Sequence, residues 1–279
     1  MYSSVTLPER FSPSGATAGS TTRLRRLCDV SSRTVRAACF CGFAGVLSVA
    51  ALTAAESAHP SQLHSVLDMP LGAQPLRVHR FRLPLAGLHA EVVDLAYERP
   101  VVDALGNADV VVNGGYWGWT AAERRTLIGL VSANGKQWSP LRNALNGGVL
   151  VVHGGKASIA PSRGYQGPDH PDLAIQCSPR LVAAGAVVDK LNTHSRAART
   201  AVCVRDSGAT LDIYVTDPDQ LGPSLHDLAE WLLRQGCEHA LNLDGGPSTA
   251  AAFHEAGHVV RIGPGVELPY ALRFRYTSR

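Results

Sequence analysis

One segment of this 279-residue chain carries a sustained helical stripe. Leu225, Leu228, Leu232 and Leu233 recur at helical spacing. They lie between Ser224, a good N-cap with Asp227 in the first turn, and Gly236, a natural stop. The other apolar residues come in short runs closed by Gly, Pro, Asn or Asp. Runs of that length bury their side chains by pairing as strands. The expected fold is α+β: a single domain with a mixed, largely antiparallel β-sheet core and few helices.

Residues 76–83 and 89–95 alternate on either side of Pro84 and Gly87, which predicts a hairpin. Residues 109–113 and 147–153 read as buried strands, each adjoining a glycine pair. Residues 157–171 are rich in Pro, Gly and Ser and read as an exposed loop. Residues 174–182, 200–205 and 210–216 follow as strands, with Ser207-Gly208 joining the last two as a hairpin. Residues 239–243 form a further buried strand, and 270–276 close the domain. His254 and His258 are four apart, but Gly257 between them marks a hairpin tip rather than a helical metal pair.

The N-terminal sixty residues differ in kind. Residues 1–22 are rich in Ser, Thr, Pro and Gly and are expected to be disordered. Arg23, Arg25, Arg26, Arg33 and Arg36 then precede an uncharged apolar run, 37–55, which ends in small residues. That order describes a secretory signal, with Thr53-Ala54-Ala55 as the better cleavage site. An uncleaved anchor is the alternative, since the run reaches the lower edge of spanning length. Residues 1–58 are thus a leader plus signal peptide or anchor, and 59–279 the folded domain. The domain is expected to be periplasmic or secreted, touching a membrane only through an uncleaved N-terminal segment.

The formal charge of +3 belongs to that leader. Residues 1–58 hold six basic and three acidic groups, which leaves 20 of each sign beyond them. A neutral domain offers no overall field for a nucleic acid. Cys28, Cys39 and Cys41 also fall in the leader. Cys177, Cys203 and Cys237 remain, and a disulfide is most simply placed between Cys177 and Cys203; three buried thiols are the alternative.

Two segments share one physical logic. Val112-Asn113-Gly114-Gly115-Tyr116 and Leu241-Asn242-Leu243-Asp244-Gly245-Gly246 each run an apolar strand into Asn or Asp and then two glycines. Ligands in sheet proteins often sit beyond strand ends, and glycine lets backbone approach them closely. Arg180 and Arg199 begin apolar runs, so each must be paired with a carboxylate or must face a cleft as a fork for phosphate or carboxylate. His194 lies in a polar loop just upstream of Arg199. Trp117 and Trp119 follow Tyr116 and are suited to stacking on a sugar ring.

Taken in order, Asn113-Gly114-Gly115-Tyr116, Ser178-Pro179-Arg180-Leu181-Val182, Arg199-Thr200-Ala201-Val202 and Leu241-Asn242-Leu243-Asp244-Gly245-Gly246-Pro247-Ser248-Thr249 resemble the phosphodiester glycosidase domain. The resemblance spans roughly residues 75–276. Pro247 stands where the family usually has a third glycine, and Cys203 where it often has one. The resemblance implies an exported hydrolase that cleaves a sugar from a sugar-1-phosphodiester at the anomeric carbon, in exopolysaccharide or cell-envelope glycan metabolism. No cofactor and no metal are expected. Asp244 becomes the catalytic carboxylate, Arg180 and Arg199 the phosphate fork and His194 a proton carrier. Asn113, Gly114, Gly115, Tyr116, Asn242, Gly245, Gly246, Ser248 and Thr249 become substrate contacts. Three other readings stay open. One is a non-catalytic envelope polysaccharide-binding or assembly protein using the same cleft. Another is a cysteine or serine hydrolase built on Cys177, Cys203 or Ser248 with His194 as base, against which the absence of G-x-S-x-G counts. The third is a divalent-cation site at Asp244 and Asn242.

Overall fold

The computed structural model describes residues 62–277. The leader, its apolar run and Cys28, Cys39 and Cys41 lie outside them. Three antiparallel sheets and one small hairpin make up the domain. The first sheet runs, edge to edge, His64–Met69, Leu76–Pro84, Thr210–Thr216, Thr200–Arg205, His239–Asn242, Arg180–Ala183 and Ala186–Val187. The second runs Lys156–Pro161, Gly148–His153, Leu173–Cys177, Val131–Ala133 and Lys136–Ser139. The third runs His258–Ile262, Ala251–Glu255, Val110–Asn113, Leu268–Tyr276 and Leu88–Arg99.

The expectation of a largely β domain with few helices holds. Every ladder among the described residues is antiparallel, and the single α-helix, Leu225–Arg234, explains why. It carries the chain from Thr210–Thr216 to His239–Asn242, which point the same way, but Thr200–Arg205 lies antiparallel between them. The crossover therefore creates no parallel pair. Ser224 caps the helix as expected: its hydroxyl accepts from the Asp227 N–H at 3.1 Å, and the Asp227 carboxylate accepts from the Ser224 N–H at 3.3 Å.

The central strands of the first sheet, Thr210–Thr216, Thr200–Arg205 and His239–Asn242, are buried on both faces, which is why they read as runs instead of alternating. Val202, Val204, Leu211, Ile213 and Val215 pack into the core shared with the other two sheets. Ala201, Cys203 and Tyr214 point the other way, onto Leu228, Trp231 and Leu232 of the helix. Among the described residues, no helix is long and apolar enough to cross a membrane.

Several local expectations are corrected. Leu76–Pro84 and Leu88–Arg99 do not form a hairpin; the turn at Gly87 hands the chain from the first sheet to the third. Residues 157–171 are not all loop, because Lys156–Pro161 pairs with Gly148–His153 across Gly154-Gly155 and buries Ala157 and Ile159. The run 174–182 is two strands in different sheets, Leu173–Cys177 and Arg180–Ala183, separated by Pro179, which has no N–H to give a ladder. The disulfide joins Cys203 to Cys237, not to Cys177. Cys203 faces the helix side of its sheet, where the chain leaving the helix brings Cys237, whereas Cys177 lies in the core on the opposite face. The expected hairpin tip at 254–257 is present, with His254 and His258 on facing strands.

Candidate active site

Antiparallel pairing sets up the site. His239–Asn242 lies between Arg180–Ala183 and Thr200–Arg205, so its end abuts the starts of both neighbours. Arg180 and Arg199 consequently flank the segment Asn242-Leu243-Asp244. The third sheet adds the end of Val110–Asn113, and Asn113 clasps the two together. Its Nδ2 donates to the Asp244 carbonyl at 2.9 Å and to the Gly114 carbonyl at 3.2 Å. Its Oδ1 accepts from Thr200 Oγ1 at 2.7 Å and from the Ala250 N–H at 3.2 Å. These bonds fill the amide's capacity, so Asn113 fixes the junction of the sheets instead of reaching toward a ligand.

The glycine pairs serve two different ends. A Cβ on Gly114 would lie 2.1 Å from Tyr270 Cε2, and one on Gly115 would lie 2.7 Å from Cys177 Sγ. Here glycine is required by close approach, and the Gly115 N–H donates to Tyr270 Oη at 2.6 Å. Gly246 instead sits at φ +59, the left-handed conformation that turns the chain after Asp244.

Asp244 is half-buried. Burial pushes its carboxyl up to about 6, against the opposing pull of the Ser248 hydroxyl and the Gly245 N–H, which donates to Oδ1 at 2.9 Å. Asn242 Nδ2 donates to Tyr116 Oη at 3.1 Å, to the Ser178 carbonyl at 3.1 Å and to the Leu243 carbonyl at 2.7 Å. Tyr116 in turn donates to the Ser178 carbonyl, and burial raises its phenol well above the ordinary range. Asn242 Oδ1 and Thr249 Oγ1 are buried without a hydrogen-bond partner. Both sit on the segment that carries Asp244.

The arginines are the most informative charges. Several others are paired: Arg82 grips the fully buried Asp212 through Nε at 3.0 Å and Nη2 at 2.9 Å, Arg77 meets Asp217, and Arg273 meets Glu91. Arg180 and Arg199 are partly buried, and neither forms an ion pair with a described carboxylate. Arg180 lays its stem against Gly148 and donates no side-chain hydrogen bond to a described residue. The Arg199 guanidinium donates only to carbonyls, of Ser195 at 3.0 Å and Pro223 at 3.4 Å. Burial lowers the Arg199 pKa, partly offset by nearby Tyr116. A guanidinium stays charged in such a place, and holding it there without a carboxylate carries a desolvation cost.

His194 is exposed in the loop that supplies the Ser195 carbonyl to Arg199, and its N–H donates to Asn192 Oδ1 at 2.9 Å. The cysteine-hydrolase reading does not survive: Cys203 is bonded to Cys237, and burial holds the Cys177 thiol far above the range in which it forms a thiolate. Among the described residues, no three His, Cys, Asp or Glu side chains gather closely enough to hold a metal ion. Tyr270 and Thr200 also bond to this junction and were not named as site residues from sequence, because each lies inside a strand whose apolar pattern accounts for it.

A family model described as phosphodiester glycosidase matches residues 106–269, more than half of the chain. No curated protein matches at the level of whole sequence. Three solved structures share the fold. The catalytic domain of zebrafish N-acetylglucosamine-1-phosphodiester alpha-N-acetylglucosaminidase, auto-inhibited by its pro-peptide, is 16% identical with a TM-score of 0.57, covering 79% of this chain and 86% of that one. A hypothetical protein from Synechocystis is 15% identical with a TM-score of 0.55, covering 77% and 62%. A protein described as exported, from Burkholderia pseudomallei, is 14% identical with a TM-score of 0.55, covering 72% and 74%.

Proposed function

This chain belongs to the phosphodiester glycosidase family, and from that premise we propose that it hydrolyses a sugar-1-phosphodiester at the anomeric carbon. The observation that carries the reading is the pair of carboxylate-free guanidinium groups, Arg180 and Arg199, on either side of the Asp244 turn. In the reaction the bond from the anomeric carbon to the phosphate oxygen breaks, and water supplies the new hydroxyl of the sugar. The phosphate ester leaves with the bonding electrons, so negative charge grows on it. Two guanidinium groups stabilise that charge without taking up a proton. The leaving group is already weakly basic, so little general-acid help is needed.

Asp244 acts as an anion, taking the proton of the attacking water or supporting the positive charge that develops on the sugar ring. The Gly245 N–H holds Oδ1 in place for this. Asn242, Tyr116, Ser248 and Thr249 form the wall around the Asp244 turn, with Asn242 Oδ1 and Thr249 Oγ1 buried within it. His194 is the exposed proton carrier. The protein works outside the cytoplasm, periplasmic or secreted, on exopolysaccharide or envelope glycan; a disulfide between Cys203 and Cys237 supports an oxidising compartment.

Cleavage in ¹⁸O-labelled water tests the bond that breaks. Turnover of a sugar-1-phosphodiester with an unlabelled phosphate ester is the expected result. Label in the phosphate ester, or no turnover, contradicts the proposal. Arg180→Gln and Arg199→Gln should each lower kcat/KM by about 100-fold, as loss of a charge-stabilising donor does.

A further inference from the structure

The hairpin that follows Tyr116 takes no part in the chemistry above. Trp117–Trp119 pairs with Arg125–Leu127 and joins no larger sheet. Its base is closed on the site, because the Ile128 N–H donates to the Tyr116 carbonyl at 2.8 Å. Trp119 is 62% exposed, and it is the one aromatic ring among the large apolar side chains left open on the described surface. An indole held out on a free hairpin forgoes the burial that would stabilise the fold.

A cluster supports it. The Arg125 guanidinium lies 5.5 Å from the centre of the Tyr97 ring, 5.9 Å from that of Trp117 and 5.3 Å from that of Trp119. Arg125 Nη1 also donates to the Tyr97 carbonyl at 2.6 Å, and its other N–H groups make no hydrogen bond to the described residues. Tyr97 is brought there by two consecutive left-handed residues, Ala96 at φ 53 and Tyr97 at φ 60. Such a pair is costly outside glycine and persists where the surroundings require it. The cluster meets the site through the chain itself, since Trp117 follows Tyr116 directly and the Ile128 N–H closes the hairpin on the Tyr116 carbonyl.

We propose that Trp119, with Trp117, Tyr97 and Arg125, forms a stacking subsite for a further carbohydrate ring, so that the substrate is an oligosaccharide or polymer and not a lone sugar ester. This rests on the carbohydrate reading of the neighbouring cleft. The ring geometry favours a sugar over a flat heterocycle. Tyr97 and Trp117 meet edge to face at 64°, so they offer no parallel slot for a planar ring. Trp119 offers one open face with guanidinium N–H donors beside it. A sugar has the complementary form, a C–H face surrounded by hydroxyls.

Titration of the full-length chain with cello- and chito-oligosaccharides of one to six rings, followed by tryptophan fluorescence and calorimetry, tests this. Affinity should rise about tenfold between one ring and the longer members, and Trp119→Ala should remove that rise while Trp119→Tyr keeps most of it. Unchanged melting temperatures would show that both variants fold. Oligosaccharides that bind no better than single sugars, or an undiminished rise in folded Trp119→Ala, would overturn the proposal. Binding needs no turnover, so failure of the hydrolase reading would appear as absent cleavage with this titration intact.

Discussion

Asn113 and Asp244 show how differently two polar residues at neighbouring strand ends are used. Asn113 is fully buried and spends its amide on Thr200, Ala250, Gly114 and Asp244. Asn113→Ala would strand a buried hydroxyl and backbone groups, and should cost about 2–4 kcal/mol of stability in chemical denaturation. Asp244 carries the opposite balance. Its folded pKa is raised above the unfolded carboxyl value, so the buried anion destabilises the fold, and stability falls as pH rises from about 4 through about 6. Asp244→Asn should therefore gain about 1–2 kcal/mol at pH 8, discounted for partial exposure, while losing activity. The Asn-Gly-Gly and Asp-Gly-Gly signals were legible in the sequence, because each ends an apolar run. Their division into clasp and chemistry was not, because it depends on which carbonyls the other sheet presents.

At the scale of elements, two attachments carry consequences. The Cys203–Cys237 disulfide ties the strand Thr200–Arg205 to the segment leaving the helix. Cys237→Ser should lower stability by about 3 kcal/mol, measured by urea denaturation, and Cys177→Ser should leave the disulfide intact in a thiol count. The edge strand His64–Met69 is held by a relay. His64 Nε2 lies 3.0 Å from His79 Nδ1, and His64 Nδ1 lies 3.1 Å from Glu255 Oε1 of the third sheet. Burial, then the neighbouring His64, lowers the His79 pKa; Arg77 adds to this, and Asp217 and Glu255 oppose it. A His with a lowered folded pKa stabilises fully above its unfolded value near 6.5 and loses that contribution as pH falls through the folded value. Amide protection at Val66 and Leu67 should accordingly drop between pH 7 and pH 5, and His79→Gln should flatten that dependence. The helix, its Ser224 cap and the 200–216 hairpin were readable because their signals are local. The false hairpin at Gly87 arose because a turn signal does not say which sheet receives the next strand.

For the molecule as a whole, a formally neutral domain must gather positive charge locally. Arg82 and Arg273 pair with carboxylates on neighbouring strands of their own sheets, whereas Arg180 and Arg199, beside Asp244, pair with no described carboxylate. The order of four motifs along the chain pointed to the family, since order survives where identity falls to 16%. Three sheets in place of one were not readable, because alternation gives the faces of a strand and not its neighbours. The most direct measurement is the pH dependence of sugar-1-phosphodiester turnover by the full-length chain and by Asp244→Asn. The expected result is kcat/KM that rises with pH through about 6 and then holds level, with a loss of about 1,000-fold or more in Asp244→Asn. Wild-type turnover in Asp244→Asn, or a rate that falls as pH rises through 6, would contradict the role of Asp244 as the catalytic anion.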